Sequence, residues 1–397
     1  MASIAEREAS VFMRTGVRVP ITLVRGEGTR VWDDAGNEYL DFIAGISTDN
    51  LGHAHPAMLQ AIREQSEQLI HVSNIFYTVP QIELAELLVE QSGLQQVFFC
   101  NSGAEANEGA IKLARKWGRQ QRDGSFEIIT AQNAFHGRTL TTVTATGNPA
   151  YMDPFGPLPG GFVYVPYDDI DALRAAVTDQ TCAIMLETVQ GEGGVNVPDP
   201  AYLPAVRALC DELNLLLVLD EIQTGMGRTG KLFGFQHYDF RPDVMTLAKG
   251  LGGGVPVAAI LANARAAVFE PGDHGTTFGG QPFATAVALA VTRTIVDEEI
   301  PAQVAEKGER VQRRLRALED TQPAVAGVRG QGLLVALVLH EEIAADVVAA
   351  ARERGLLCNN VRPNAVRLMP PLTVSNDELD RAVEILEASL EAVAASK

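Results

Sequence analysis

Short apolar runs that stop abruptly at one charged residue recur along this chain. Residues 182–186 end at Glu187, residues 215–219 at Asp220 and residues 244–248 at Lys249. Runs of this length between polar and glycine-rich segments read as buried strands of an α/β sheet. Residues 97–100 and 126–130 add two more. Helical spacing lies between them: Ala106, Ala110, Leu113, Ala114 and Trp117 share one face, and 204–213 forms another helix. This alternation predicts a largely parallel sheet covered on both faces.

The ends of the chain read differently. Residues 17–52 alternate around the turn Asp34-Ala35-Gly36-Asn37, which predicts a small antiparallel sheet. Residues 55–70 have helical spacing, and Pro80 opens a further helix through Leu88. A long helical region over 283–318 precedes a strand at 333–339, a helix at 341–354, a strand at 365–371 and a last helix at 376–394. The expected fold is α/β. A large domain with a mainly parallel sheet (53–295) is flanked by a small α/β domain built from both ends (1–52 and 296–397). The length of 397 residues suits two or three domains of roughly 100–200 residues each.

Composition narrows the class. A hydrophobic fraction of 46% and a charged fraction of 21% are those of an ordinary globular protein. A net charge of −18 argues against nucleic-acid or anionic-membrane binding. It does not disfavour an anionic small substrate, because a few buried arginines override the global field locally. The opening MASIAEREASVF has early acids and no apolar core, so neither signal peptide nor anchor is expected. No stretch approaches the roughly 20 apolar residues of a membrane span, and a cytoplasmic protein is expected. Cys100, Cys182, Cys210 and Cys358 lie far apart and read as reduced core thiols. His53 and His55 have a spacing that suits a metal, but no further ligands complete a set, and no metal is expected.

In α/β sheets ligands bind beyond the carboxyl ends of the strands. Asp220 and Lys249 are delivered there from neighbouring strands. Lys249 is either a solvent-facing strand end or a buried amine available as a nucleophile; the GLGGG after it permits close approach. Asn101-Ser102-Gly103-Ala104, between a strand and a helix, is either an ordinary cap or a phosphate cup of free N–H groups. Phe135-His136-Gly137-Arg138 places an aromatic ring and a guanidinium at the sheet's rim. Arg138 is either a surface residue or a fork for a carboxylate. Glu187 and Glu192 bracket a glycine-rich loop, and Arg367 precedes Met369-Pro370-Pro371 on a strand where a structural ion pair is the plain alternative. GMGRTGK at 225–231 begins like a nucleotide phosphate loop, but Leu232 replaces Ser or Thr and no helix follows. Taken together the candidates describe one cofactor site: a phosphate cup, a stacking ring, an acid for a pyridine nitrogen and a lysine for an aldehyde.

The motifs NSGAEANE, AFHGRT, LDEIQTGMGRTGK, TLAKGLGGG and TTFGGQPFA, in that order and over nearly the whole chain, resemble those of class III (subgroup II) aminotransferases of fold type I. The resemblance implies pyridoxal 5′-phosphate (PLP) as cofactor. Lys249 would carry it as a Schiff base and Asp220 would pair with its ring nitrogen. Gln223 would bond the ring's 3-oxygen, Phe135 would stack on the ring, and Ser102, Gly103 and Ala104 would hold the phosphate. Thr277 resembles a phosphate contact given by a neighbouring subunit, which implies a homodimer with shared sites. Arg138 would bind the substrate α-carboxylate, and Glu192 would mask Arg367 until 2-oxoglutarate arrives. FIAGIS, NLGHAHP, HVSNIFYT and HGTTFGG are most similar to the branch that uses acylated ornithine, so transfer of the δ-amino group of N2-acetyl-L-ornithine to 2-oxoglutarate is expected. Ile46 stands where ornithine-specific members have tyrosine. Thr188, Gln281 and the Ser47–Asp49 segment depart from the family pattern. Other ω-amino donors stay open: a carrier-protein-linked aminoadipate semialdehyde derivative, succinylornithine, ornithine and 4-aminobutyrate.

Overall fold

The computed structural model describes residues 4–396. Its large sheet has seven strands, in the order Gln96–Cys100, Ala258–Ala262, Val244–Leu247, Leu216–Asp220, Thr181–Glu187, Glu127–Ala131 and Phe162–Val165. Every pairing is parallel except the two made by Ala258–Ala262. The central strands Thr181–Glu187 and Leu216–Asp220 are buried at every position, which explains why their sequences run apolar without alternation. The register places Glu187 opposite Asp220, and Asp220 opposite Thr246. Three polar side chains therefore share one row at the carboxyl edge.

The helix Gly103–Gln121 lies against this sheet through Ala106, Ala110, Leu113, Ala114 and Trp117, all buried. Its apolar face is interrupted once, by the fully buried Asn107. The region 283–318 is two helices, Pro282–Asp297 and Ile300–Ala317. Glu299 adopts a left-handed φ of +51° and Pro301 supplies no N–H to a continuing helix, so the chain must break there.

Two smaller sheets complete the molecule. Leu23–Glu27, Arg30–Asp33 and Glu38–Asp41 are antiparallel, and the distant Leu356–Leu357 adds a parallel strand to them. Val325–Gln331, Leu334–Leu339, Ala365–Leu368 and Asn359–Arg362 form an antiparallel sheet in that order. Among the described residues no helix is long and apolar enough to cross a membrane.

Candidate functional site

A cavity of about 440 Å³ opens at the carboxyl edge of the large sheet, within the size range of small-molecule sites. Ser102, Gly103, Ala104, Phe135, Arg138, Glu192, Asp220, Gln223 and Lys249 all line it. Asp220 is buried at the end of its strand, and its Oδ2 accepts hydrogen bonds of 2.8 Å from Asn107 Nδ2 and from His136 Nδ1. Its Oδ1 accepts the N–H of Ile222. Asn107 is held in turn by Thr246, whose hydroxyl donates to Asn107 Oδ1 at 2.8 Å. Burial opposes charge on His136, but the bond to Asp220 and its charge outweigh that and hold the ring above the ordinary histidine range. The carboxylate thus keeps one orientation and a compensated charge.

Lys249 follows the strand Val244–Leu247 with a left-handed φ of +39°. A non-glycine residue held there is strained, a condition that persists where surrounding structure enforces it and that clusters at functional sites. Burial holds its amine below the ordinary lysine range, against the pull of Glu192 and Asp220. Ser102 caps the helix Gly103–Gln121 by accepting the N–H of Glu105 at 3.2 Å. Glu105 reaches back to the N–H of Asn101 at 2.7 Å. The N–H groups of Gly103 and Ala104 lie in the first turn, where the helix offers no acceptor, and face the cavity. Two free donors at a positive helix end form a cup for a phosphate-like anion.

The opposite wall carries Glu192, paired with a cation behind it. Glu192 sits at the tip of a tight loop closed by the Gln190–Asn196 bridge. Its Oε1 lies 2.6 Å from Arg367 Nη1, and Arg367 is fully buried. Gln223 joins this pair, donating to Glu192 at 3.2 Å and accepting from Arg367 at 3.4 Å. The loop approaches so closely that a Cβ on Gly191 would stand 1.6 Å from Gln223 Oε1. Burial works against the charge on Glu192, but Arg367 holds its carboxyl below the usual range. Arg138 is exposed and has no ion pair among the described residues; its guanidinium stacks 3.7 Å from the Tyr151 ring centroid and 5.7 Å from that of Phe135.

Three expected residues lie outside the cavity wall: Arg367, which meets the cavity through its pair with Glu192, and two that are exposed. Ile46 is 42% exposed on a left-handed turn, Ala44–Ser47, and it is Thr48, two residues on, that lines the cavity. Thr277 is exposed on a separate segment. His136, Asn107 and Glu187 were not singled out by role from the sequence. Glu187 is buried beside Asp220, and burial pushes its carboxyl up to about 8. It accepts the N–H groups of Phe135 and Gly191. Thr188, next in the chain, is buried with no partner for its hydroxyl. His53, the metal candidate, is engaged by Asp41 and Asp49. Among the described residues no group of three or more His, Cys, Asp or Glu is placed to hold a metal ion.

Comparison with known proteins gives this geometry a lineage. The aminotransferase class-III family matches residues 11–390. The acetylornithine aminotransferase of Caldanaerobacter subterraneus subsp. tengcongensis is 52% identical over 381 residues, covering 96% of this chain and 97% of its own. Among solved structures, the ornithine aminotransferase of Toxoplasma gondii, with PLP at its active site at partial occupancy, superposes with a TM-score of 0.94 at 36% identity; 99% of this chain and 94% of that one are covered. The N-acetylornithine aminotransferase of Stenotrophomonas maltophilia K279a gives 0.86 at 37% identity, covering 99% of this chain and 100% of that one. With an amine, a buried carboxylate and a phosphate cup on one sheet edge, and this kinship over almost its full length, the chain belongs to the class-III aminotransferases and is a PLP-dependent transaminase.

Proposed function

We propose that the enzyme transfers the δ-amino group of N2-acetyl-L-ornithine to 2-oxoglutarate, a step of arginine biosynthesis. The observation that carries this reading is the 2.6 Å pair between Glu192 and Arg367, in the same site as Lys249. The donor reacts at a terminal amine with no carboxylate beside it, whereas 2-oxoglutarate has a carboxylate next to its keto carbon. A site serving both must cover a cation in one half-reaction and expose it in the other. The 52% identity to a relative named for acetylornithine supports the donor, as does the apolar Ile46, two residues from the cavity-lining Thr48.

When bound, PLP supplies an aldehyde for the amine and a ring that draws electrons from the substrate carbon. The residues present fit it. Gly103 and Ala104, with Ser102 as cap, would hold the phosphate through N–H groups that have no acceptor among the described residues. Asp220, fixed by Asn107 and His136, would keep a proton on the ring nitrogen. Phe135 would pack against the ring and Gln223 would bond its 3-oxygen. Lys249 Nζ, its pKa held below the ordinary lysine range by burial, would carry the proton away from the substrate carbon. Arg138 binds the α-carboxylate from its stacked position.

The proposal extends to assembly. Ile75, Phe76, Tyr77 and Phe278 are 59–97% exposed. They lie on two adjoining segments, since Asn74 bonds the carbonyl oxygens of Thr276 and Gly279 and His71 stacks on Phe278. Such an apolar patch around an exposed Thr277 supports a homodimer in which Thr277 reaches the phosphate of the other subunit's site. A cytoplasmic setting is in keeping with four free, buried cysteines. The division into 1–52, 53–295 and 296–397 is part of the same reading, supported by the strand that Leu356–Leu357 adds to the N-terminal sheet.

A single-turnover screen of acetylornithine, succinylornithine, ornithine and 4-aminobutyrate, followed by the cofactor spectrum, tests the donor. Acetylornithine should convert the cofactor fastest. A faster reaction with any of the other three overturns the assignment.

A further inference from the structure

The loop that carries Glu192 rests on two arginines that have no acid among the described residues. Arg362 Nε donates to Gly193 O at 2.8 Å and its Nη2 donates to Asn133 Oδ1 at 2.8 Å. Arg329 makes no side-chain hydrogen bond or ion pair among the described residues, and its Nε is buried without a partner. Both press on the same residue: a Cβ on Gly194 would meet Arg329 Nη2 at 3.0 Å and Arg362 Cγ at 3.2 Å, and Gly194 has a φ of +122° that favours glycine. Burial and the nearby Arg362 charge hold Arg329 below the ordinary arginine range. A partly buried guanidinium without a counter-charge is costly, and the desolvation of Arg329 is offset by no pairing among the described residues.

Register shows where they stand relative to the masked cation. Arg329 pairs with Ala336, Ala336 with Arg367, and Arg367 with Asn359, so all four lie in one row across the sheet. Residues opposite one another in such a row share a face. Glu192 therefore lies over a face with Arg367 at one end and Arg329 at the other, with Arg362 under the next peptide unit, about 3.8 Å of chain away. The glycines at 191, 193 and 194 flank Glu192 and leave the tip few side chains to rearrange.

We propose that Arg362 and Arg329 form the second seat of the Glu192 carboxylate, the place it occupies when Arg367 is given over to 2-oxoglutarate. The inference rests on the proposed masking of Arg367 by Glu192. A carboxylate leaving one guanidinium moves to others that lack an acid, instead of to water, so exposing Arg367 costs less. Arg362 and Arg329 are positioning residues; they act on the acceptor through Glu192.

Rapid-mixing measurement of the two half-reactions on the holoenzyme tests this. Arg329→Met, which removes no hydrogen bond from the loop, and Arg362→Met should each weaken the 2-oxoglutarate half-reaction about 10- to 100-fold in kcat/KM, the range for a lost charge-assisted bond. The acetylornithine half-reaction should keep its rate. Arg362→Lys, which retains the charge, should recover part of the loss. In a Glu192→Ala background the same substitutions should have no further effect. Equal losses in both half-reactions, or losses that persist without Glu192, overturn the second seat while leaving the masking intact. If Glu192→Ala alone slows both half-reactions equally, the masking itself fails and the second seat fails with it.

Discussion

His53 is bonded on both ring nitrogens, with Nε2 2.9 Å from Asp41 Oδ2 and Nδ1 2.9 Å from Asp49 Oδ2. Neutral imidazole has a single N–H, so both contacts are hydrogen bonds only in the cation. The other Asp41 oxygen accepts the N–H groups of Ile43 and Ala44, and the N–H of Asp49 donates to Ala44 O. The imidazolium thus closes a ring around Ala44, Gly45, Ile46 and Ser47, whose φ values run from 45° to 63°. Left-handed geometry costs roughly 1–2 kcal/mol for each of the three non-glycine residues, so the turn needs a clamp.

The two carboxylates raise the His53 pKa from 6.5 to about 10, bonds to Asp41 first and Asp49 second, against burial. A rise of that size corresponds to at most about 5 kcal/mol. With the side chain 29% exposed, solvent screening leaves roughly 2–3 kcal/mol. The folded state binds the extra proton, so this stability is fully present below pH 6.5 and is lost as pH rises through 10. His53→Asn should therefore lower the unfolding free energy by about 2–3 kcal/mol at pH 6, and the gap to wild type should close above pH 10. Urea titrations at fixed protein concentration, from pH 6 to 10.5, measure it. A gap that stays constant over that range refutes the charged clamp.

Two further substitutions address the cavity. Lys249→Ala should abolish borohydride-trappable cofactor, and the wild-type protein should be yellow when purified; a colourless wild type without PLP affinity would end the assignment of Lys249. Arg138→Ala should weaken both substrates by roughly 1.5–3 kcal/mol each, through the α-carboxylate of the donor and the distal carboxylate of 2-oxoglutarate, read from KM in the separate half-reactions; an unchanged KM for both would remove Arg138 from carboxylate binding.

What was legible from the sequence was whatever short-range pattern encodes. Asp220 and Lys249 stand where apolar runs stop, and the strands Leu216–Asp220 and Val244–Leu247 lie within one residue of those runs. The break in 283–318 had a local signal, Pro301, which helical spacing on either side obscured. The His136–Asp220 bond joins residues 84 positions apart and leaves no trace in periodicity. Asn107 did leave one, as a polar residue on the apolar face of its helix. The arginine of GMGRTGK, Arg228, is fully buried with no acid partner among the described residues, donating to Leu333 O, Pro370 O and Asn50 Oδ1. It ties the loop after Asp220 to the turn before Leu334–Leu339, to the segment after Ala365–Leu368 and to Asn50, a role set by contacts 105 to 178 residues away.

A charge of −18 opposes the approach of a dianionic acceptor, and the site reconciles the two. Three carboxyl groups line the cavity. Glu187 is pushed up to about 8 by burial, so at pH 7 it is mostly uncharged. Asp220 is compensated by His136 and Glu192 by Arg367. Arg138, Arg329 and Arg362 have no acid among the described residues. The surface field is acidic, but the pocket itself carries no uncompensated negative charge and keeps guanidiniums in reserve. On the proposed reading each acid that lines this cavity has a task that needs a carboxyl group: one would fix a ring nitrogen, one would cover a cation, and one braces a loop by accepting its N–H groups. The arginines would then determine what the cavity attracts. Net charge bears on solubility and on macromolecular partners, while the proposed recognition of the acceptor rests on a few guanidiniums.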